Sequence, residues 1–273
     1  MNTIDIPYTS LLLLLLLLII PFVFFYVYKI KLLKSSLIAS ARMIVQLFLV
    51  GIYIQYLFEL SNNLVNILWV VVMIVFASFS VIRSAELNLK RFLVPTFLSL
   101  LFGVMIVLLY INGVVINLEN IFDAKYLIVI GGMLIGNSLR GNIIGINNFY
   151  QSIKRNENRY LYTLSAGATK SEALIPFFRA GLSNALKPTI ANMATIGIVF
   201  LPGMMTGQIL GGADPLVAVK YQILIMVAIF VSSFICICLT ILLTVKSCFN
   251  GYGILDKSIF KVKNTKKLKR KLA

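Results

Sequence analysis

The sequence predicts an all-α, polytopic membrane protein with about seven transmembrane helices, its amino terminus outside and its carboxyl terminus cytoplasmic. Three observations predict it. Of the 273 residues, 60% are hydrophobic and the mean hydropathy is +0.96; a soluble domain cannot bury that much apolar surface. The apolar residues come in runs of about 20, the length that crosses a hydrocarbon core of about 30 Å. Finally, the 25 Lys plus Arg, against 9 Asp plus Glu, fall mainly in alternate loops, as Lys and Arg held on the cytoplasmic side do.

The first span is read at 9–28. Only Asp5 precedes it among charged residues, whereas Lys29, Lys31 and Lys34 follow. A signal peptide has the reverse polarity, so this is a membrane span entering from outside. The remaining spans are read at 37–58, 64–82, 92–111, 126–148, 187–210 and 216–245. Loop 83–91 carries Arg83, Lys90 and Arg91 against Glu86, and loop 149–186 carries Lys154, Arg155, Arg159, Lys170 and Arg179 against Glu157 and Glu172. The opposite side holds Asp5, Glu59, Glu119, Asp123 and Asp214 against Lys125 and Lys220. Residues 1–248 read as one transmembrane permease domain and 249–273 as a basic cytoplasmic tail. Its Lys-rich part, Lys261 to Lys271, reads as an arm or topological anchor at anionic lipid.

The stretch LPGMMTGQILGGADPLVAVKYQ, 201–222, breaks the pattern of continuous spans. Pro202 removes an amide donor and Gly203 loosens the backbone, which predicts a kink or break. Asp214-Pro215 reads as an N-cap followed by proline at the first helical position, so a new helix starts there. Broken helices at membrane depth pack against protein or line a cavity. Pro202, Gly203, Met204, Met205, Asp214 and Lys220 are therefore candidates for a transport gate; the alternative is a tightly packed, kinked hairpin. Met204 and Met205 are the tentative metal ligands, as soft thioethers.

The fifth span contains GGMLIGNSLRGNIIGINN, 131–148. Gly132 with Gly136, and Gly141 with Gly145, are small-xxx-small pairs that admit a neighbouring helix. Asn137, Arg140 and Asn142 place polar groups in an apolar span, and at about 100° per residue they do not share one narrow face. They are candidate pathway residues, as are Arg42 and Gln46, four apart on one face of the second span. No Asp or Glu lies inside a span. An anionic, complexed or mixed-polarity substrate is therefore easier to accommodate than a bare hard cation.

The loop at about 150–186 is longer than the others. It reads as one short helix, a turn at Ala166-Gly167-Ala168, and a second short helix starting from Thr169. Thr169 and Glu172 form a capping box, and Gly167 supplies the left-handed residue that ends the first helix. Such an elbow is a rigid cytoplasmic knob for another protein to grip; the alternative is a surface helix resting on headgroups.

Several classes are excluded. No GxxxxGK[ST] segment is present, and His is absent, so neither a nucleotide P-loop nor a Ser-His-Asp set is possible. Aromatic residues are not interleaved with bases on a polar face, which sets nucleic acid aside. Cys236, Cys238 and Cys248 form no disulfide framework or zinc motif. The chain does not read as an enzyme.

With these stretches in view, the sequence resembles the FetB-type family of integral-membrane permeases, whose bacterial members are described as iron exporters and whose plant members are linked to aluminium tolerance. The segments that carry the resemblance are LPGMMTGQILGGADPLVAVKYQI at 201–223, LSAGAT at 164–169, GMLIGNSL at 132–139, and Arg42, Gln46 and Gly51. The resemblance implies the permease half of an ABC transporter in the plasma membrane. Two copies of this chain would join two copies of a separate ATP-binding subunit, with ATP on that partner and no cofactor on this chain. It implies export of iron, another metal or a metal complex. Leu164, Ser165, Ala166, Gly167, Ala168 and Thr169 then resemble the coupling element that such permeases insert into their ATPase. No Leu-Pro pair follows Gly167 as in the importer motif, and no role for Arg140 follows from the resemblance. The alternatives are an ion-coupled secondary carrier, an ABC permease for a non-metal anion such as a nucleotide sugar, and a non-transporting scaffold. Carriers commonly show internal repeats and intramembrane acids, and neither is visible here.

Overall fold

The computed structural model describes residues 7–60 and 62–260. Asp5 and the Lys261–Lys271 arm lie outside the described residues. The described residues are mostly helical, and six of their helices are long and apolar enough to cross a membrane. It divides into two compact units: residues 1–62 with 203–218, and residues 63–202 with 219–273.

The first unit holds α1 (Tyr8–Leu16), α2 (Ile19–Val27), α3 (Leu33–Leu60), α9 (Gly203–Leu210) and the first residues of α10 (Pro215–Cys248). The first span is thus two short helices in tandem, parted at Leu17-Leu18, and not one continuous helix. Large apolar side chains cover most of the surface of these helices. Leu13, Ile20 and Ile52 are two-thirds or more exposed, as befits helices whose surroundings are lipid or protein and not water.

The second unit is a bundle of α4 (Asn63–Ser84), α5 (Leu89–Tyr110), α6 (Ala124–Arg155), α8 (Lys170–Thr195) and most of α10, with the short α7 (Glu157–Ser165) at one end. Small residues set its crossings. A Cβ on Gly103 of α5 would stand 2.5 Å from Cys236 Sγ of α10, and one on Gly145 of α6 would stand 2.8 Å from Ile237 Cγ2. A Cβ on Gly181 of α8 would meet the Gly145 carbonyl at 3.1 Å. Of the two predicted glycine pairs in α6, Gly141 and Gly145 both carry a helix contact, and in the other pair Gly132 does, a Cβ there standing 3.2 Å from Met73 Cε of α4. Gly136 is exposed with nothing near it.

Beyond α5 the chain makes a π turn at Ile111–Val115. The loop that follows is pinned by asparagines. Asn112 Nδ2 donates to the Ile121 carbonyl at 2.9 Å, and Asn66 Nδ2 to the Phe122 carbonyl at 3.1 Å. At the other end of the bundle, an aromatic core forms from Phe92, Phe149, Tyr150, Tyr160, Phe177 and Phe249. Phe92 and Phe149 both meet Tyr150 edge to face, at 5.3 and 4.9 Å between centroids, the geometry that ring quadrupoles favour.

Two expectations are corrected here. The second helix of the long loop is not short: α8 runs 26 residues from Lys170 through Pro176 and Pro188 to Thr195. Its face Ala173, Leu174, Phe177, Gly181, Ala185 is buried. That packing outweighs the amide bonds lost at the prolines. The sixth span at 187–210 is consequently not one helix. The helix ends at Thr195, an irregular turn follows to Pro202, and α9 begins at Gly203. The break expected at Pro202-Gly203 is present, and it starts earlier.

Gly103→Val tests the α5–α10 crossing. It is expected to destabilise the protein by about 2 kcal/mol through overpacking, read as a lower melting temperature in detergent. Adding Cys236→Ala should recover part of the loss, and Gly136→Ala should leave the melting temperature unchanged.

Candidate functional site

The elbow between α7 and α8 is built from local chemistry. Gly167 adopts φ +92°, which other residues reach only under strain. With it in place, the Ala168 amide donates to the Thr163 carbonyl at 3.3 Å and the Gly167 amide to the Leu164 carbonyl at 3.0 Å, the paired bonds of a Schellman ending. Thr169 then starts α8. Its Oγ1 accepts from the Glu172 amide at 3.3 Å, while Glu172 Oε2 accepts from the Thr169 amide at 2.7 Å. The bond from the Thr169 hydroxyl, then that from its amide, holds the Glu172 carboxyl below its ordinary pKa. Leu164 points into the aromatic core, whereas Ser165, Ala166, Gly167 and Thr169 are exposed and Ala168 is half-buried. The elbow therefore presents small side chains on a capped, stiff frame.

A feature not read from the sequence braces this elbow. Residues 249–260 fold back on the bundle, burying Phe249, Leu255 and Ile259. Asn250 starts a tight turn, its Oδ1 accepting from the Tyr252 and Ile254 amides, and Gly253 closes it at φ +75°. The Tyr160 hydroxyl of α7 donates to the Gly253 carbonyl at 2.6 Å. Asp256 pairs with Arg91 at 2.6 Å, and Lys257 with Glu157 at 3.1 Å. Bonds from the Ser258 amide, and the Arg91 guanidinium, hold the Asp256 carboxyl below its usual range. The Asn88 amide donates to the Ile259 carbonyl at 2.8 Å. Lys170 lies over the Phe249 ring at 4.6 Å and donates to the Val245 carbonyl; partial burial lowers its pKa. This strap joins the α4–α5 turn, α7, the start of α8 and the end of α10.

The predicted pathway residues are dispersed. Arg42 and Gln46 share a face and line an open depression of about 500 Å³ in the first unit, with Ser35 and Ala39. Met204 and Met205 are half-buried on α9, also in the first unit, and Pro202 and Gly203 mark the start of that helix. Asp214 caps α10, accepting from the Leu216 amide at 2.7 Å, with Pro215 first in the helix. Lys220 is exposed at the rim of an apolar groove between α5 and α10.

On α6, Arg140 is exposed, Asn137 is half-buried and bonded to the Met133 carbonyl, and Asn142 is fully buried. Asn142 Nδ2 donates to the Ser138 carbonyl, and its Oδ1 has no partner. Ser138 on α6 and Ser232, Ser233, Thr240 and Thr244 on α10 are buried too. Ser138 meets Ser232 at 3.4 Å. Ser232, Thr240 and Thr244 went unread because each hydroxyl bonds a carbonyl of its own helix and leaves no sequence signal. Among the described residues no group of three His, Cys, Asp or Glu side chains is placed to hold a metal ion.

The model described as Uncharacterised protein family (UPF0014) matches residues 8–249. The chain is 31% identical over 211 residues to the UPF0014 membrane protein YjkA of Bacillus subtilis (strain 168), covering 77% of this chain and 82% of that one. It is 30% identical over 227 residues to the "Probable iron export permease protein FetB" of Escherichia coli (strain K12), covering 82% and 85%. To "Protein ALUMINUM SENSITIVE 3" of Arabidopsis thaliana it is 31% identical over 195 residues, covering 71% and 70%. No solved structure matches the chain.

Thr169→Ala should cost about 1 kcal/mol through loss of the cap, seen as faster amide exchange in the first turn of α8. Glu172→Gln should also loosen that turn at neutral pH. Because the folded carboxyl is depressed, its contribution is present above the ordinary carboxylate range and lost as pH falls through the lowered value. The difference in exchange between wild type and Glu172→Gln should thus close on acidification.

Proposed function

This chain belongs to the UPF0014 membrane-protein family, and from that premise we propose that it is the membrane permease subunit of an ATP-driven transporter exporting iron, another metal or a metal complex. ATP is hydrolysed on a separate ATP-binding subunit, and two copies of this chain form the membrane part. The amino terminus is outside and the elbow cytoplasmic, as the basic loops favour. The observation that carries the reading is the α7–Gly167–α8 elbow, small-surfaced and capped at both joints. A knob of this kind transmits closure of a partner to the helices that continue from it, α6 and α8. The cargo assignment rests on the name of the E. coli relative.

The local chemistry narrows the cargo further. The described helices offer thioethers at Met204 and Met205, amides, and the exposed cations Arg42 and Arg140. A complexed metal with net negative charge suits these groups better than a bare hard cation. The same cations favour, as a second reading, a non-metal anion.

Reconstituted in proteoliposomes with its ATP-binding subunit, the chain should move iron only with ATP. Gly167→Arg should lower that flux at least about tenfold, since a non-glycine at φ +92° strains the elbow by roughly 1–3 kcal/mol and adds bulk at its tip. Flux that continues without ATP and collapses with an uncoupler would contradict the reading. Replacing Met204 and Met205 by Leu keeps volume and removes sulfur. Reduced metal flux with an unchanged melting temperature is the result expected if the thioethers touch the cargo.

A further inference from the structure

We propose that the groove between α5 and α10 is a binding site for an anionic phospholipid, with one acyl chain lying between the two helices and the phosphate at Lys220. The site stands on the membrane location of the chain and is independent of the ATP-driven reading.

The groove encloses about 620 Å³, within the roughly 300–1,000 Å³ of small-molecule sites. All of its lining residues belong to the second unit. The α10 wall follows one stripe, Lys220, Leu224, Val227, Val231 and Ile235, at the spacing that puts side chains on a single helix face. The facing wall runs from Ile106 to Val115, and the π turn supplies its last residues, Ile111 and Val115. The close contact of Gly103 with Cys236 shuts the groove beyond Ile106 and Ile235, so Lys220 lies at the end away from that crossing. Among the lining side chains only Tyr110 and Lys220 carry a polar atom. An apolar chain therefore fits along the groove, whereas a polar solute would find no hydrogen-bond partners there.

Charge and length select the occupant. Lys220 is exposed on an apolar helix face, where an unpaired charge is costly. Among the described residues no carboxylate pairs with it. The nearest acid in sequence, Asp214, already accepts from the Leu216 and Val217 amides. A lipid phosphate supplies the missing anion and brings a hydrocarbon chain with it. Tyr110, 60% exposed on the other wall, has the ring and hydroxyl that settle at a boundary between headgroups and hydrocarbon. At about 1.5 Å per residue, the α5 wall from Ile106 to Val115 rises roughly 14 Å and the α10 wall from Lys220 to Ile235 roughly 22 Å. One leaflet of hydrocarbon is about 15 Å thick, half of the roughly 30 Å that a spanning helix crosses. The groove thus matches a chain from one leaflet and is short for a spanning helix of a second copy.

The test places the full chain in phosphatidylcholine nanodiscs that contain a trace of either phosphatidylglycerol or phosphatidylcholine with a photoreactive diazirine on one acyl chain. The labelled peptides are then mapped. Phosphatidylglycerol should label 106–115 and 223–235 about fivefold more than phosphatidylcholine does, the effect of one basic residue near anionic lipid. Lys220→Gln should abolish that preference and leave labelling by phosphatidylcholine unchanged, while Lys220→Arg keeps it. Val227→Trp, at a half-exposed position that fills the groove, should lower labelling by phosphatidylglycerol without moving the melting temperature. Lys90→Gln, at the start of α5, should alter nothing. Equal labelling by the two lipids would mean that the groove holds ordinary bilayer lipid only, and a preference that survives Lys220→Gln would remove its stated cause; either result overturns the proposal. Loss of the preference on adding inorganic phosphate would show a site for a free anion and overturn it too. If neither lipid labels the groove, protein covers it and the proposal fails; crosslinks between two Val227→Cys copies would then identify a second copy as the occupant.

Discussion

The second unit depends on the seating of α10 against α5 and α6 at positions that lack a Cβ. In a bilayer no hydrophobic force drives one apolar helix onto another, so association comes from close packing and from hydrogen bonds. Gly103 accepts the Cys236 turn of α10, and Gly141 and Gly145 accept Ile237. That approach buries the hydroxyls of Ser232, Ser233, Thr240 and Thr244. Thr240 and Thr244 return their protons to carbonyls one turn back, at 2.7 Å each. The seam also fixes where α10 ends. Cys248 and Phe249 are buried, so the strap leaves from a fixed point.

From that point the chain reaches every element at this end of the bundle. The strap bonds the α4–α5 turn through Asn88 and Arg91, α7 through Tyr160 and Glu157, and the start of α8 through the Phe249–Lys170 contact. These ion pairs are partly exposed and contribute little energy individually. Their value is geometric, because they restrain α7 about a buried aromatic core. A force applied to the elbow then meets a stiff block continuous with α6, α8 and α10. Such a block suits the proposed role, in which closure of the partner must tilt long helices and not bend a loose loop.

What was legible in the sequence was local. The Thr169–Glu172 box, the Gly167 ending and the Asp214-Pro215 start are each decided within four residues, and each is present. The spans other than the one read at 187–210 were legible because length and hydropathy are imposed by the bilayer. The extent of α8 was misread because 170–186 is polar on one side and contains Pro176; the spacing of Ala173, Phe177, Gly181 and Ala185 was the signal that a packed helix runs through. The strap was invisible because its partners, Asn88, Arg91 and Tyr160, are about 100 residues or more distant in sequence. Among the candidate pathway residues, periodicity already separated Arg140 from Asn142, but only packing decides that Asn142 is the buried one.

The central proposal is that the elbow and the strap turn, which the Tyr160–Gly253 bond holds together, lie on the cytoplasmic side. Accessibility to a membrane-impermeant maleimide tests it most directly, with single cysteines introduced as Ala166→Cys, Tyr252→Cys and Ala213→Cys after the three native cysteines are replaced by Ser or Ala. In inside-out vesicles the account predicts labelling at 166 and 252 and none at 213, with the reverse pattern in right-side-out vesicles. Labelling of 166 or 252 from the outside would contradict it.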